Sequence, residues 1–190
     1  MQRFDSSEQG ADGGLTGSLL VAHPGLLDPS FRKSVVYIAS HDDQGTLGFV
    51  LNKPLGQTVA DIIPGEEALG PVAHMPVYKG GPVGRNQLII CVFRQESPDG
   101  GITCSHSMSA GDVETLLSDD GSILRAFVGH AGWSAGQLES ELQHASWIVK
   151  VPAPGLLTSD SDERLWSSIF ENMGAWGRFQ AGAPDDLSLN

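Results

Sequence analysis

Five residues, Gly132-Trp133-Ser134-Ala135-Gly136, fit the pattern G-x-S-x-G, the nucleophile elbow of serine hydrolases. An apolar run, ILRAFV (123–128), reads as a strand before it, and an amphipathic segment reads as a helix after it. The chemistry would be acyl transfer: a serine oxygen attacks a carbonyl, a histidine takes its proton, and a third group orients the histidine. The rest of the sequence supplies those partners poorly. In the elbow fold the acid and then the histidine follow the serine. Asp160, Asp162 and Glu163 do follow it, but the last histidine is His144, ahead of all three. A triad would have to draw on His130 or His23 upstream.

A second reading explains the same residues without catalysis. Ser134 stands three residues before Gln137, the spacing of a capping box. In that box the serine oxygen accepts the Gln137 N–H while the glutamine side chain accepts the serine N–H. Leu138 and Leu142 then share a face, and Glu139 and Glu141 point more toward solvent near the positive helix end. The capping reading is favoured, and Ser134 as a hydrolase nucleophile is the alternative. The helix start is also a candidate anion site, with Gly129, Gly132 and Gly136 leaving the backbone open to approach. Trp133, just ahead of the cap, reads as a hydrophobic staple or core residue, with an exposed partner anchor as the other option.

Weaker constellations remain. The six histidines show neither HxxxH nor HExxH spacing. His41-Asp42-Asp43 reads as a solvated turn, because a metal site needs three or four converging ligands, so no metal is assigned. His23 and His130 each read as the end of a strand, and would line one rim if those strands were neighbours. Gly80-Gly81-Pro82 offers backbone N–H groups to an anion but lacks the Lys and Ser/Thr of a phosphate loop; a tight hairpin turn is the simpler account. Asp28-Pro29-Ser30-Phe31 reads as an Asp-Pro turn followed by an aromatic. No cofactor motif is present.

The elements that would position these residues are short. Residues 1–14 are polar and glycine-rich and are expected to be a disordered tail. Gly17–Ala22 reads as a buried strand, stopped by His23-Pro24-Gly25. SVVYIAS (34–40) and LGFVL (47–51) read as a hairpin lying inside a sheet. Thr58 reads as the cap of a brief helix through Ile63. Further strands are expected at 76–79, 87–94, 102–107, 123–128 and 147–151, and helices at 109–118, from Ser134, and at 161–173. Asp160 and Glu163 form a D-x-x-E pair at the start of the last helix, and Gly174 is placed to stop it. Residues 175–190 are expected to be a poorly ordered tail, leaving a single domain over 15–174. Strand–helix–strand 123–151 is the one passage that suits a parallel crossover. The tally, about eight strands and four helices, predicts α+β.

Composition bounds the function. The chain has 190 residues and a formal net charge of −12, with 11 Lys and Arg against 23 Asp and Glu. The tails 1–14 and 175–190 hold −2 and −1 of that, leaving −9 in the body. Such a body repels a phosphate backbone, and nonspecific nucleic-acid affinity comes mainly from Lys and Arg. The only adjacent basic pair is Arg32-Lys33, so direct nucleic-acid binding is not expected. Two cysteines, Cys91 and Cys104, make no disulfide framework and read as thiols in strands. With no apolar leader and no membrane-length apolar run, a cytoplasmic setting is expected.

Four segments carry a family resemblance. GHAGWSAGQLESEL (129–142) contains a Gly-Trp-x-x-Gly-Gln-Leu core. LLVAHPGLLDPSFRKSVVYIASHDDQGTLGFVLNKPLG (19–56) carries Pro24, Asp28-Pro29-x-Phe31, His41, Gly45, Gly48 and Asn52-x-Pro54. VYKGGPV (77–83) holds the Gly-Gly-Pro turn, and Trp147 opens a late strand. In this order they resemble the AlgH/YqgE family of uncharacterised bacterial proteins, over roughly residues 17–174. The resemblance implies an α+β domain of coiled, bifurcated, mainly antiparallel sheets with helices packed around them. Some family members are labelled transcriptional regulators, so any regulatory role here is expected to be indirect. The resulting expectation is a non-catalytic binding or regulatory module, with no catalytic residue assigned. Its ligand or protein partner would meet Asp28, Phe31, Asn52, Gly80, Gly81, Gly129, Gly132, Trp133, Ser134 and Gln137. The partner class is a protein or a small anionic ligand.

Overall fold

A computed structural model describes residues 14–63, 67–95, 101–106, 122–153, 155–157 and 162–182. Expectations for residues 1–13, for a helix at 109–118 and for Asp160 fall outside them. Nine strands and four α-helices lie among the described residues. The α+β expectation holds, and the architecture is one curled, mixed sheet with helices against it.

The chain begins the sheet with β1 (Leu19–Ala22), β2 (Val35–Asp42) and β3 (Gly45–Val50). β2 and β3 form the expected hairpin, with β2 between β1 and β3. Every residue from Val35 to Ile38 is buried, as strands covered on both faces require. Asp42 Oδ1 accepts the Gln44 N–H at 2.8 Å and closes the turn. β4 (Pro54–Thr58) leads into α1 (Val59–Ile62), where Asp61 accepts the Thr58 N–H at 2.8 Å. The Asp61 hydrogen bonds to Thr58 hold its carboxyl below the usual carboxylate range.

The spine of the sheet is β8 (Ser122–Ser134). It runs antiparallel to β6 (Val83–Gln95) along one edge. Its other edge takes β5 (Pro76–Lys79) in parallel at 126–128, then β3 antiparallel at 131–134. β7 (Ile102–Ser105) extends the sheet beyond β6, so the sheet forks along β8. The remaining order is β4-β5-β8-β3-β2-β1-β9, with β9 (Trp147–Lys150) at the far end. The crossover expected over 123–151 is real but long: β8 and β9 are parallel, with β3, β2 and β1 between them.

Two expectations are corrected here. Gly80-Gly81-Pro82 is not a hairpin turn, because β5 and β6 do not pair with each other. They lie on opposite edges of β8, and the two glycines carry the chain across it. A Cβ on Gly80 would run into the Gly129 carbonyl oxygen, and one on Gly81 into the His130 backbone. Only glycine fits at such a crossing.

The second correction concerns the C-terminal end. The segment expected as one helix over 161–173 is a 3-10 turn, Asp162–Arg164, followed by α3 (Leu165–Glu171). Gly174, at φ +84, does break the helix, but α4 (Gly174–Ala181) follows where a tail was expected from 175. The reason is packing: Gly177 presses so closely on the Phe170 carbonyl that a Cβ there would collide with it. Trp176 meets the Phe170 ring at 5.8 Å.

The core is aromatic. Phe49 stacks on Phe127 at 5.0 Å, and Phe93 meets Tyr37 edge-on at 5.3 Å. The Tyr37 hydroxyl donates to the Ile102 carbonyl. Arg125 is the one buried charged residue described. Its guanidinium donates to the carbonyls of Leu51 and Leu157 and lies 4.8 Å from the Tyr78 ring centroid.

Candidate functional site

Ser134 is the last residue of β8, exposed, and not the cap of the helix that follows. That helix, α2 (Gln137–Gln143), is preceded by Gly136 in the left-handed conformation, φ +75. Only half of the expected capping box forms: the Ser134 N–H donates to Gln137 Oε1 at 3.1 Å. The serine hydroxyl donates to the same oxygen at 3.2 Å and does not accept from the backbone. A nucleophile needs a base within hydrogen-bond reach; this hydroxyl is committed to an amide oxygen.

Gln137 and Trp133 belong to a different construction. Glu141 Oε2 accepts the indole N–H of Trp133 at 3.0 Å and that of Trp147 at 2.7 Å. Glu141 Oε1 accepts Gln137 Nε2 at 3.0 Å. Phe31 packs onto both rings, stacked on Trp133 at 5.7 Å and edge-on to Trp147 at 5.4 Å. Trp133 is only 5% exposed, so it is a core residue and not a surface anchor. The cluster ties α2, β8, β9 and the 28–33 turn into one unit. Glu141, expected to point toward solvent, turns onto the two indoles instead, and its spacing of four from Gln137 places both on one helix face.

Asp28, Phe31 and Asn52 build a turn with two outward faces. Asp28 Oδ1 accepts the Ser30 N–H at 2.7 Å, and the Asp28 carbonyl accepts from Phe31 and Arg32. The next residue, Lys33, is held at φ +52, a conformation that costs a non-glycine residue roughly 1 kcal/mol or more. Asn52 holds it there. Its Nδ2 donates to the Lys33 carbonyl at 2.8 Å, while its Oδ1 accepts the Val35 N–H at 2.8 Å. Asn52 is 4% exposed. Phe31 faces the tryptophans, whereas Arg32 and Lys33 face the other way, into a cleft.

This cleft, of about 780 Å³, is the candidate site. Arg32, Lys33, Lys53 and Lys79 line it, four of the chain's 11 Lys and Arg. They come from three adjoining segments. Lys53 Nζ donates to the Arg32 carbonyl at 3.0 Å, and the Lys79 N–H donates to the Lys53 carbonyl at 2.8 Å. Lys33 Nζ stands 5.4 Å from the Trp166 ring centroid, joining these segments to α3. Glu163 is the one acid among the lining residues, and Pro29, Pro54 and Leu55 add apolar surface. Such a mixture of apolar walls with a few convergent charges is typical of small-molecule sites.

The sequence-predicted residues therefore separate. Gly80, Gly81 and Gly129 meet at the strand crossing, and Trp133 and Gln137 join the Glu141 cluster. Ser134 and Gly132 lie on the last turns of β8, and Asn52 alone lines the cleft. Arg32 and Lys33 were visible only as a basic pair, and Lys53 and Lys79 carried no signal of their own. All four, however, fall inside the segments that carry the family resemblance.

The histidines do not converge on the cleft. His23 and His130 do not share a rim, since β1 and β8 are separated by β2 and β3 and His130 is interior to β8. His23 faces Trp176 at 6.3 Å. His41 Nδ1 meets Thr46 Oγ1 at 2.7 Å, and its Nε2 lies 3.5 Å from Glu139. His130 Nδ1 is buried with no hydrogen-bond partner among the described residues. Desolvation, then the nearby His106, lowers the proton affinity of His130. Burial raises the Cys91 thiol far above the usual thiol range, with Cys104 adding to the effect; it stays protonated. Among the described residues no group of three or more His, Cys, Asp and Glu converges as metal ligands, and no helix is long and apolar enough to cross a membrane.

Comparison with known proteins agrees with this architecture. The family model described as AlgH-like matches residues 19–177. The chain belongs to the AlgH-like family. A UPF0301 protein of Streptomyces avermitilis is 38% identical over 185 residues, covering 93% of this chain and 95% of that one. A UPF0301 protein of Chlorobaculum tepidum is 34% identical over 181 residues, covering 92% and 95%. The solution structure of AlgH from Pseudomonas aeruginosa superposes with a TM-score of 0.63 at 27% identity, covering 94% of this chain and 99% of that one. A crystal structure from Corynebacterium diphtheriae, at 21% identity, shares the fold with a TM-score of 0.70, covering 96% and 95%.

Proposed function

We propose that this AlgH-like protein is a non-catalytic cytoplasmic binding module whose cleft takes a small anionic ligand. The observation that carries the reading is that Arg32, Lys33, Lys53 and Lys79 line one cleft in a protein of net charge −12. Like charges gathered in one concavity repel one another and work against the compact state, while focusing attraction on an oppositely charged ligand. One glutamate stands among the lining residues beside these four cations. The surrounding negative body disfavours a long polyanion such as duplex DNA, so any effect on transcription runs through the bound ligand or a protein partner.

Native mass spectrometry tests this on protein purified gently from its own cells, beside a folded Arg32→Glu/Lys79→Glu variant. The expected result is a small anionic molecule retained by wild type and missing from the variant, with matching stabilisation on adding it back. A wild type that retains nothing, and whose melting temperature no phosphate or carboxylate compound raises, overturns the reading.

A further inference from the structure

We infer that the ligand of this cleft is an organic diphosphate or longer polyphosphate attached to a hydroxyl-bearing moiety, as in a nucleoside or sugar diphosphate. This rests on the anion-binding reading above and narrows it.

Three observations carry the narrowing. First, the cations come from adjoining segments. The Lys53 ammonium touches the Arg32 carbonyl, and the Lys53 carbonyl takes the Lys79 N–H, so positive charge is spread along adjoining segments. A single phosphate sits against one such segment, whereas a phosphate chain reaches donors on more than one. The Arg32 guanidinium and the Lys79 ammonium have no hydrogen-bond or ion-pair partner among the described residues, and both line the cleft. They are the donors available to phosphate oxygens, with Arg32 suited to a two-pronged contact.

Second, the space exceeds what a bare inorganic anion fills. About 780 Å³ lies within the range of pockets for drug-sized organic ligands, roughly 300–1,000 Å³. Pro54, Leu55 and Trp166 give it apolar wall for a non-phosphate moiety.

Third, Glu163 stands on the helical wall of the same cleft, and no ion pair joins it to the four cations among the described residues. A carboxylate accepts hydrogen bonds and donates none when ionised. It repels an anion and favours a neutral hydroxylated group. The cleft is therefore charged for phosphate along one wall and for hydroxyl donors on another.

Isothermal titration with full-length protein tests this, using inorganic phosphate, citrate, inorganic pyrophosphate, GDP and UDP-glucose as probes. At least one of GDP and UDP-glucose is expected to bind more tightly than pyrophosphate, and pyrophosphate more tightly than phosphate or citrate. Arg32→Gln and Lys79→Gln should each weaken the diphosphate compounds by roughly tenfold. Glu163→Gln should strengthen inorganic pyrophosphate and weaken the hydroxyl-bearing compound, a reversal that misfolding cannot produce. Circular dichroism and urea midpoints confirm that each variant folds. If citrate or phosphate binds as tightly as the diphosphates and still needs Arg32 and Lys79, the diphosphate class is overturned while the anion cleft stands. If none of the five binds, or binding ignores Arg32 and Lys79, both readings fall.

Discussion

Asn52 braces the chain just after the left-handed Lys33 by bonding both ends of the Lys33–Val35 step. The carboxamide takes the Val35 N–H and gives to the Lys33 carbonyl. This couples the strained residue to the cleft, since the same turn directs Arg32 and Lys33 inward. Asn52→Ala would leave both backbone groups without partners, at a cost of roughly 2–3 kcal/mol. Asn52→Asp keeps the acceptor but loses the donor and should cost less. Urea midpoints of the two variants order the losses; equal values would mean that the Val35 contact contributes nothing.

Gly80 and Gly129 meet where the chain crosses β8, and the family motif residue Gly132 sits nearby with open space. A Cβ at Gly80 collides with a backbone oxygen, whereas one at Gly132 finds its nearest neighbour, the His130 ring, at 3.8 Å. Gly80→Ala is expected to cost more than about 3 kcal/mol, since backbone atoms must shift. Gly132→Ala should be within about 0.5 kcal/mol of wild type. Thermal denaturation of the pair separates the crossing from the motif, and a fully stable Gly80→Ala would refute the crossing.

Glu141 gathers two indoles and an amide, and this makes it the keystone of the aromatic cluster. Removing it in Glu141→Ala leaves the Trp133 and Trp147 N–H groups without acceptors and should cost about 2–3 kcal/mol. Glu141→Gln retains an oxygen and should cost about 1 kcal/mol. Both should shift tryptophan fluorescence. Ser134→Ala, which removes only an exposed hydroxyl, should leave the spectrum and the urea midpoint as they are.

Much of the fold is legible from local pattern. The 34–51 hairpin follows from β-branched runs around a polar turn, and α1 from Thr58 as its cap. What sequence could not convey depends on long-range pairing. Gly80-Gly81 looks like any hairpin turn until β5 and β6 are known to flank the same strand. α4 carries an interior glycine that argues against a helix, and it forms because that residue, Gly177, lets it press on α3. The cleft was hidden for the same reason. Lys53 and Lys79 come together through the pairing of β4 with β5, and Arg32 joins them through the turn that Asn52 clamps. Ser134 shows the opposite limit, where a short pattern matched a motif and the geometry gave the residue other work.

His130 gives the protein a pH-dependent term whose sign is fixed. Desolvation and His106 lower its proton affinity in the folded state, so the native imidazole binds protons less readily than the unfolded one, whose ordinary value is 6.5. Where the unfolded state binds more protons, stability rises with pH. The contribution is therefore complete above that value and is lost as pH falls below it, until the native ring also protonates. Urea midpoints measured at about pH 8 and about pH 5 should fall further for wild type than for His130→Gln, which cannot titrate. Carboxylates shared by both proteins cancel in that comparison. Equal losses in the two would show that the buried Nδ1 carries no penalty on protonation.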